Sequence, residues 1–140
     1  MRLLIAASLA MIITAAATAA DPDQNTGDPD RGRVVFLDRE LGHCLLCHQA
    51  VQVDAPFQGN IGPDLSSVGS RLPATVIRER IADPTAMNPE TVMPAYARTD
   101  NLIDVDKRYR GKPILDAQQL ADLVAFVVSL KQPLAKHNDL

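Results

Sequence analysis

The sequence predicts an all-α domain of three or four helices joined by long proline- and glycine-rich loops. Three observations predict it. Apolar residues recur at helical spacing in several segments, and no stretch alternates convincingly as a strand would. The segments between are punctuated by Pro and Gly over lengths uncommon in a small domain, unless something organises the loops. The chain also lacks aromatic bulk, with no Trp, three Phe and two Tyr in 140 residues. Large aromatics usually supply much of a core's buried area, so a bound apolar group would suit this composition.

Residues 1–20 read as a cleaved secretory signal peptide. Met1-Arg2 is a short positive start, Leu3 to Ala16 is apolar except for Ser8 and Thr14, and Ala17-Thr18-Ala19 is a small-x-small cleavage signal. A retained anchor helix is the alternative, but the run is shorter than the roughly 20 apolar residues that span a bilayer. Arg2 is the only charge in this segment, so its removal takes the formal net charge from −3 to −4. The mature chain has no basic run, which argues against nucleic acid, and no further stretch long enough to span a membrane.

Residues 21–29 are rich in Asp, Pro, Gly and Asn and read as a flexible lead-in. One domain is expected over 30–133, with 134–140 a tail. Asp30 is a candidate N-cap for a first helix carrying Gly32, Val35, Phe36, Leu37 and Leu41, closed by Gly42. Residues 51–70 read as loop. Pro73 opens a short helix through Ile77 and Ile81, stopped by Asp83-Pro84. Residues 84–101 are irregular again, and 102–112 are densely charged. Asp116 and Gln119 resemble a capping box. Leu120, Leu123, Val124 and Val127 follow at i, i+3, i+4 and i+7, in a helix running to about Leu130.

The chemistry is carried by Cys44-Leu45-Leu46-Cys47-His48. It reads C-x-x-C-H, the pattern of c-type haem attachment. Each thiol can form a thioether to one haem vinyl group, and His48 is then placed to ligate the iron. Two other readings compete. A thioredoxin-type disulfide needs a strand before the motif and a helix opening at it, and here the preceding residues read as helical. A zinc site needs four ligands, and the chain has only two Cys and three His, with His137 in the tail.

The iron's second axial position needs a donor, unless it is left open for a substrate. After the leader only Met87 and Met93 remain of the four methionines. Met93 precedes Pro94 in a stretch that cannot be helical throughout, so a loop can present its sulfur to the haem face. Met87, between two prolines, is the runner-up. Either could instead be adaptable core packing. His43 is too close to the tethered Cys44 to reach the far face easily. His–Met ligation raises the reduction potential and favours electron transfer over catalysis at the iron. An open iron site would instead suit a peroxidase or thiol oxidoreductase.

Gly32 and Phe36 before the motif, Gly62-Pro63-Asp64-Leu65 after it, Met93-Pro94 and the final Leu-x-x-Leu-Val-Ala-Phe together resemble class I cytochrome c. That resemblance implies one covalent haem c in a class I cytochrome c fold. It also implies a hydrogen bond from His48 to the Pro63 carbonyl, and a close crossing of the first and last helices at Gly32 and Phe126. A narrower likeness spans nearly the whole mature chain. Gly59-Asn60-Ile61-Gly62-Pro63-Asp64-Leu65, Thr91-Val92-Met93-Pro94-Ala95-Tyr96 and Gly111-Lys112-Pro113-Ile114-Leu115-Asp116-Ala117-Gln118 are similar to the SoxX family. SoxX is the monohaem subunit of the SoxAX cytochrome of bacterial thiosulfate oxidation.

The narrower resemblance implies an electron-transfer subunit of an L-cysteine S-thiosulfotransferase in the periplasm. A SoxA-like partner would hold the catalytic haem, and a SoxYZ-like carrier would receive thiosulfate on a cysteine. This chain would pass the electrons to a soluble carrier. The residues agree with that division of labour, because thioether formation consumes both cysteines and leaves no thiol for sulfur chemistry. Residues 97–113 are the expected partner-facing surface. The alternative is a free-standing periplasmic shuttle to a respiratory oxidase.

Overall fold

In a computed structural model, residues 26–131 are described. The signal peptide, the start of the lead-in and the tail expected from the sequence lie outside them. Among the described residues four helices appear: α1 (Pro29–Leu37), α2 (Val68–Arg71), α3 (Ala74–Ala82) and α4 (Ala117–Ser129). Single 3-10 turns occupy Cys44–Leu46 and Pro84–Ala86. There is no strand among the described residues.

α1 starts two residues earlier than the sequence suggested. Asp28, not Asp30, is the N-cap, and its carboxylate accepts from the backbone N–H of Asp30 and Arg31. Pro29 then sits at the first helical position, where a missing N–H costs nothing. Asp30 falls in the first turn, favourable to the helix dipole. The helix also ends early, at Leu37 rather than near Gly42. Asp38 turns extended and its carboxylate accepts the Glu40 N–H at 2.7 Å. Gly42 then donates back to the Val35 carbonyl at 3.1 Å. Leu41 still packs on the core, but from a turn.

α4 has the expected capping box. The Asp116 carboxylate accepts from Gln119 N–H, and the Gln119 side chain accepts from Asp116 N–H. Its stripe of Leu120, Leu123, Val124, Phe126 and Val127 is buried. More of the fold packs against α4 than against any other element: α1, α2 and α3 all contact it. Phe36 of α1 meets Phe126 edge-on, with centroids 5.1 Å apart. A Cβ on Gly32 would collide with the Asp122 carbonyl, so only glycine permits this helix crossing.

Asp122 lies at the same crossing, 3 % exposed. A buried carboxylate is costly unless paired, and this one is. It accepts from Arg31 Nε at 2.8 Å, from Asp28 N–H at 2.8 Å and from Gln118 Nε2 at 2.9 Å. Those bonds, the Arg31 guanidinium first, hold its pKa down to about 2 against the opposing effect of burial.

α2 is one turn that begins at the end of the segment read as loop, 51–70, and runs one residue past it. Its Gly69 N–H donates to the Leu130 carbonyl at 2.9 Å, docking the turn on the end of α4. α3 follows Pro73 as expected and buries Ile77 and Ile81. Beside this core the helices and loops border a cavity that the motif residues also line.

Candidate functional site

A cavity of about 680 Å³ opens beside the core. Phe36 of α1, Ile77 and Ile81 of α3, and Leu123 and Val127 of α4 form its apolar lining. Cys44, Cys47, His48, Met87 and Met93 border the same space. The volume lies within the roughly 300–1,000 Å³ of ordinary ligand pockets.

The local fold explains how Cys44-Leu45-Leu46-Cys47-His48 reaches this wall. His43 takes a left-handed conformation, φ 45°, which turns the chain into the 3-10 turn. Cys47 N–H and His48 N–H both donate to the Cys44 carbonyl, at 3.2 and 2.9 Å. One tight turn thus brings both sulfurs and the imidazole to the cavity. Leu45 packs into the core instead, and Leu46 stays exposed at the cavity's edge.

The segment after the motif runs back alongside it. Gly59 N–H donates to the Leu45 carbonyl, Gly62 N–H to Cys47, and Leu65 N–H to Gln49, each at 2.8 Å. Every residue of Gly62-Pro63-Asp64-Leu65 has a physical task. A Cβ on Gly62 would strike the His48 ring. The Pro63 carbonyl lies 2.7 Å from His48 Nδ1. Asp64 accepts the Ser66 N–H at 2.7 Å and closes the turn. Leu65 packs on the core. Hydrogen bonding from Ser66, its side chain first, lowers the Asp64 pKa.

The two methionines differ in setting. Met93 packs against the hydrophobic core, with its N–H donating to Thr91 Oγ1 at 3.2 Å. Met87 follows the Pro84–Ala86 turn and is exposed. His43 lines the cavity from the turn before the cysteines. His137 lies outside the described residues.

Two residues that line the cavity, Tyr96 and Tyr109, had no assigned role in the sequence reading. Tyr96 is buried, and its hydroxyl donates to the Gly42 carbonyl at 2.6 Å. Burial above all keeps its phenol well above the ordinary pKa range. Tyr109 lines the cavity and its hydroxyl donates to the Glu40 carbonyl at 3.1 Å. Arg108, expected to face a partner, is paired with Glu40 at 3.0 Å. The charged 97–113 segment is therefore tied back onto the 38–43 turn. Lys107, beside it, is exposed.

The competing readings fare worse. Cys44 and Cys47 are not joined to each other. Burial pushes the Cys44 thiol up to about 12, the reverse of the low-pKa thiolate that dithiol redox chemistry uses. Among the described residues no group of three or more His, Cys, Asp or Glu could hold a metal, so zinc lacks its donor set. A haem fits what is present. The cavity is largely apolar and bordered by two thiols, and the Pro63 carbonyl accepts a hydrogen bond from His48 Nδ1–H, which leaves Nε2 as a lone-pair donor.

These features define a c-type cytochrome. The cytochrome c family model matches residues 29–131, and the chain belongs to that family, whose members carry covalently bound haem c. A chain of the crystal structure of SoxXA from P. pantotrophus is similar at 34 % identity and a TM-score of 0.70. The likeness covers 76 % of this chain and 84 % of that one. Within its family this protein is a SoxX-type electron-transfer cytochrome. No curated protein sequence matches it. No helix among the described residues is long and apolar enough to cross a membrane.

Proposed function

We propose that this protein is the electron-transfer subunit of a SoxAX-like L-cysteine S-thiosulfotransferase. It accepts electrons from the catalytic haem of a SoxA-like partner while thiosulfate is attached oxidatively to a SoxYZ-like carrier cysteine. It then passes them to a soluble carrier. The observation that carries this reading is the convergence of Cys44, Cys47, His48 and Met93 on one apolar cavity, in a chain similar to one of SoxXA.

In this reading Cys44 and Cys47 would hold the haem covalently, and His48 and Met93 would ligate its iron. The bound haem supplies a one-electron iron couple. The Pro63 carbonyl accepts a hydrogen bond from His48 Nδ1–H, which sets the tautomer and makes the ring a stronger donor. The Met93 thioether is a soft neutral donor and raises the potential. The lining of Phe36, Ile77, Ile81, Leu123 and Val127 excludes water, which tunes the potential further. With both thiols spent, the sulfur chemistry falls to the partner.

We further propose that residues 1–20 are removed on export, that the domain spans 30–133, and that the protein works in the periplasm. The leader supports this, as does the attachment of c-type haem outside the bacterial cytoplasm. Purification from thiosulfate-grown cells tests the assignment. A stable complex with a larger haem protein is expected. A monomeric cytochrome serving a respiratory oxidase would contradict it.

A further inference from the structure

Met93 lies between two anchors. On its amino side, its own N–H donates to Thr91 Oγ1 at 3.2 Å, and Thr91 N–H donates to the Asn88 carbonyl at 3.1 Å. On its carboxyl side, Pro94 fixes one backbone torsion, and Tyr96 then fastens the chain at three points. Tyr96 N–H donates to the Ile81 carbonyl of α3 at 3.2 Å. Its carbonyl accepts the Leu115 N–H at 3.0 Å, just before the α4 cap. Its hydroxyl crosses to the Gly42 carbonyl at 2.6 Å, two residues before Cys44.

Tyr96 therefore spans two segments that border the same cavity, one carrying Met93 and one carrying the first cysteine. The phenol is buried and stays neutral, so it remains a donor. A core tyrosine kept for bulk alone would need no such partner, although a buried hydroxyl usually finds one. Here the partner belongs to the segment that grips the other edge of the site.

We propose that Tyr96 is a positioning residue for Met93. Its bond to the Gly42 carbonyl ties the methionine segment to the cysteine segment and holds the thioether against dissociation. Thr91 orients the same methionine from its amino side. This rests on Met93 being an axial ligand.

Imidazole competition with methionine for the iron provides the test, made on haem-loaded protein in two backgrounds. Tyr96→Phe keeps the ring and removes the donor. In the native background it should tighten apparent imidazole binding roughly fivefold, the worth of one buried hydrogen bond. It should also lower the pH at which the near-infrared sulfur-to-iron band is lost. In the Met93→Ala background, Tyr96→Phe should leave imidazole affinity unchanged, because nothing remains to position. Equal shifts in both backgrounds, or none in either, would overturn the proposal. Thr91→Val should act the same way by about twofold, and it carries the comparison if Tyr96→Phe does not accumulate as haem-loaded protein. Should Met93→Ala bind imidazole no better than the native protein, the ligand assignment itself fails and the positioning role with it.

Discussion

His48 Nδ1 lies 2.7 Å from the carbonyl oxygen of Pro63, and the imidazole ring rests against Gly62. The two contacts fix the ring's tautomer and its plane before any iron is considered. A substitution at Gly62 should therefore act through His48. Gly62→Ala would drive a methyl group into the ring, an overpacking cost of about 1–3 kcal/mol. The yield of covalently loaded protein and the denaturation midpoint should both fall. Normal values for both would show that the ring has more room than this geometry allows.

The helix crossing should be equally intolerant. Gly32→Ala places a methyl group against the Asp122 carbonyl and Phe126. A loss of about 1–3 kcal/mol in chemical denaturation is expected. Val34, on the outer face of α1 and 65 % exposed, is the control. Val34→Ala should stay within about 0.5 kcal/mol of the native protein.

Asp122 gives the fold a defined acid limit. Its folded pKa is depressed to about 2, below the roughly 3.9 of a free aspartate. Its ionised form is thus favoured in the native state. The resulting stability, of order 2 kcal/mol, is fully present above the unfolded pKa and is lost as pH falls through the folded one. Denaturation of native protein and Asp122→Asn should differ most above about pH 4 and converge towards pH 2. A difference independent of pH across that window would assign the effect to packing rather than to charge.

The Arg108–Glu40 pair should contribute little to stability. Both side chains are largely exposed, at 65 % and 71 %, and such pairs are worth at most about 1 kcal/mol. Arg108→Ala should therefore leave the denaturation midpoint nearly unchanged. A large loss of complex formation in that variant would then report contact with the partner. Reversing the charge of Lys107 should weaken the complex and alter its salt dependence; an unaltered complex would remove this segment from the interface.

How much of this was legible depended on how local each signal is. The Asp116–Gln119 capping box is a local signal and appears as read; the haem motif is equally local, and its Cys44, Cys47 and His48 border one cavity. α2 was missed because four residues are too few to show a helical period. Its Gly69 looked like loop punctuation, yet the glycine is needed where the turn meets the end of α4. The start of α1 was misread by two residues because Asp28 and Asp30 are both capping residue types. Only the position of Pro29 distinguishes them. Asp122 stands alone in an apolar run, and its partner Arg31 lies 91 positions away, so nothing local announces which residue pairs with it. A lone acid flanked by buried apolar residues was the available sign that a cation must meet it. Tyr96 could not be found from sequence, since its acceptor is a backbone carbonyl. The choice of Met93 over Met87 still draws on Pro94 and on the core packing of Met93, because both methionines border the cavity.

Central to the proposed function is that His48 and Met93 would both ligate the haem iron and so suit it to carrying electrons. The near-infrared spectrum of the oxidised, haem-loaded protein tests it most directly. The weak sulfur-to-iron band should be present in the native protein and in Met87→Ala, and absent from Met93→Ala, whose potential should also drop. A band that survives in Met93→Ala would contradict the account.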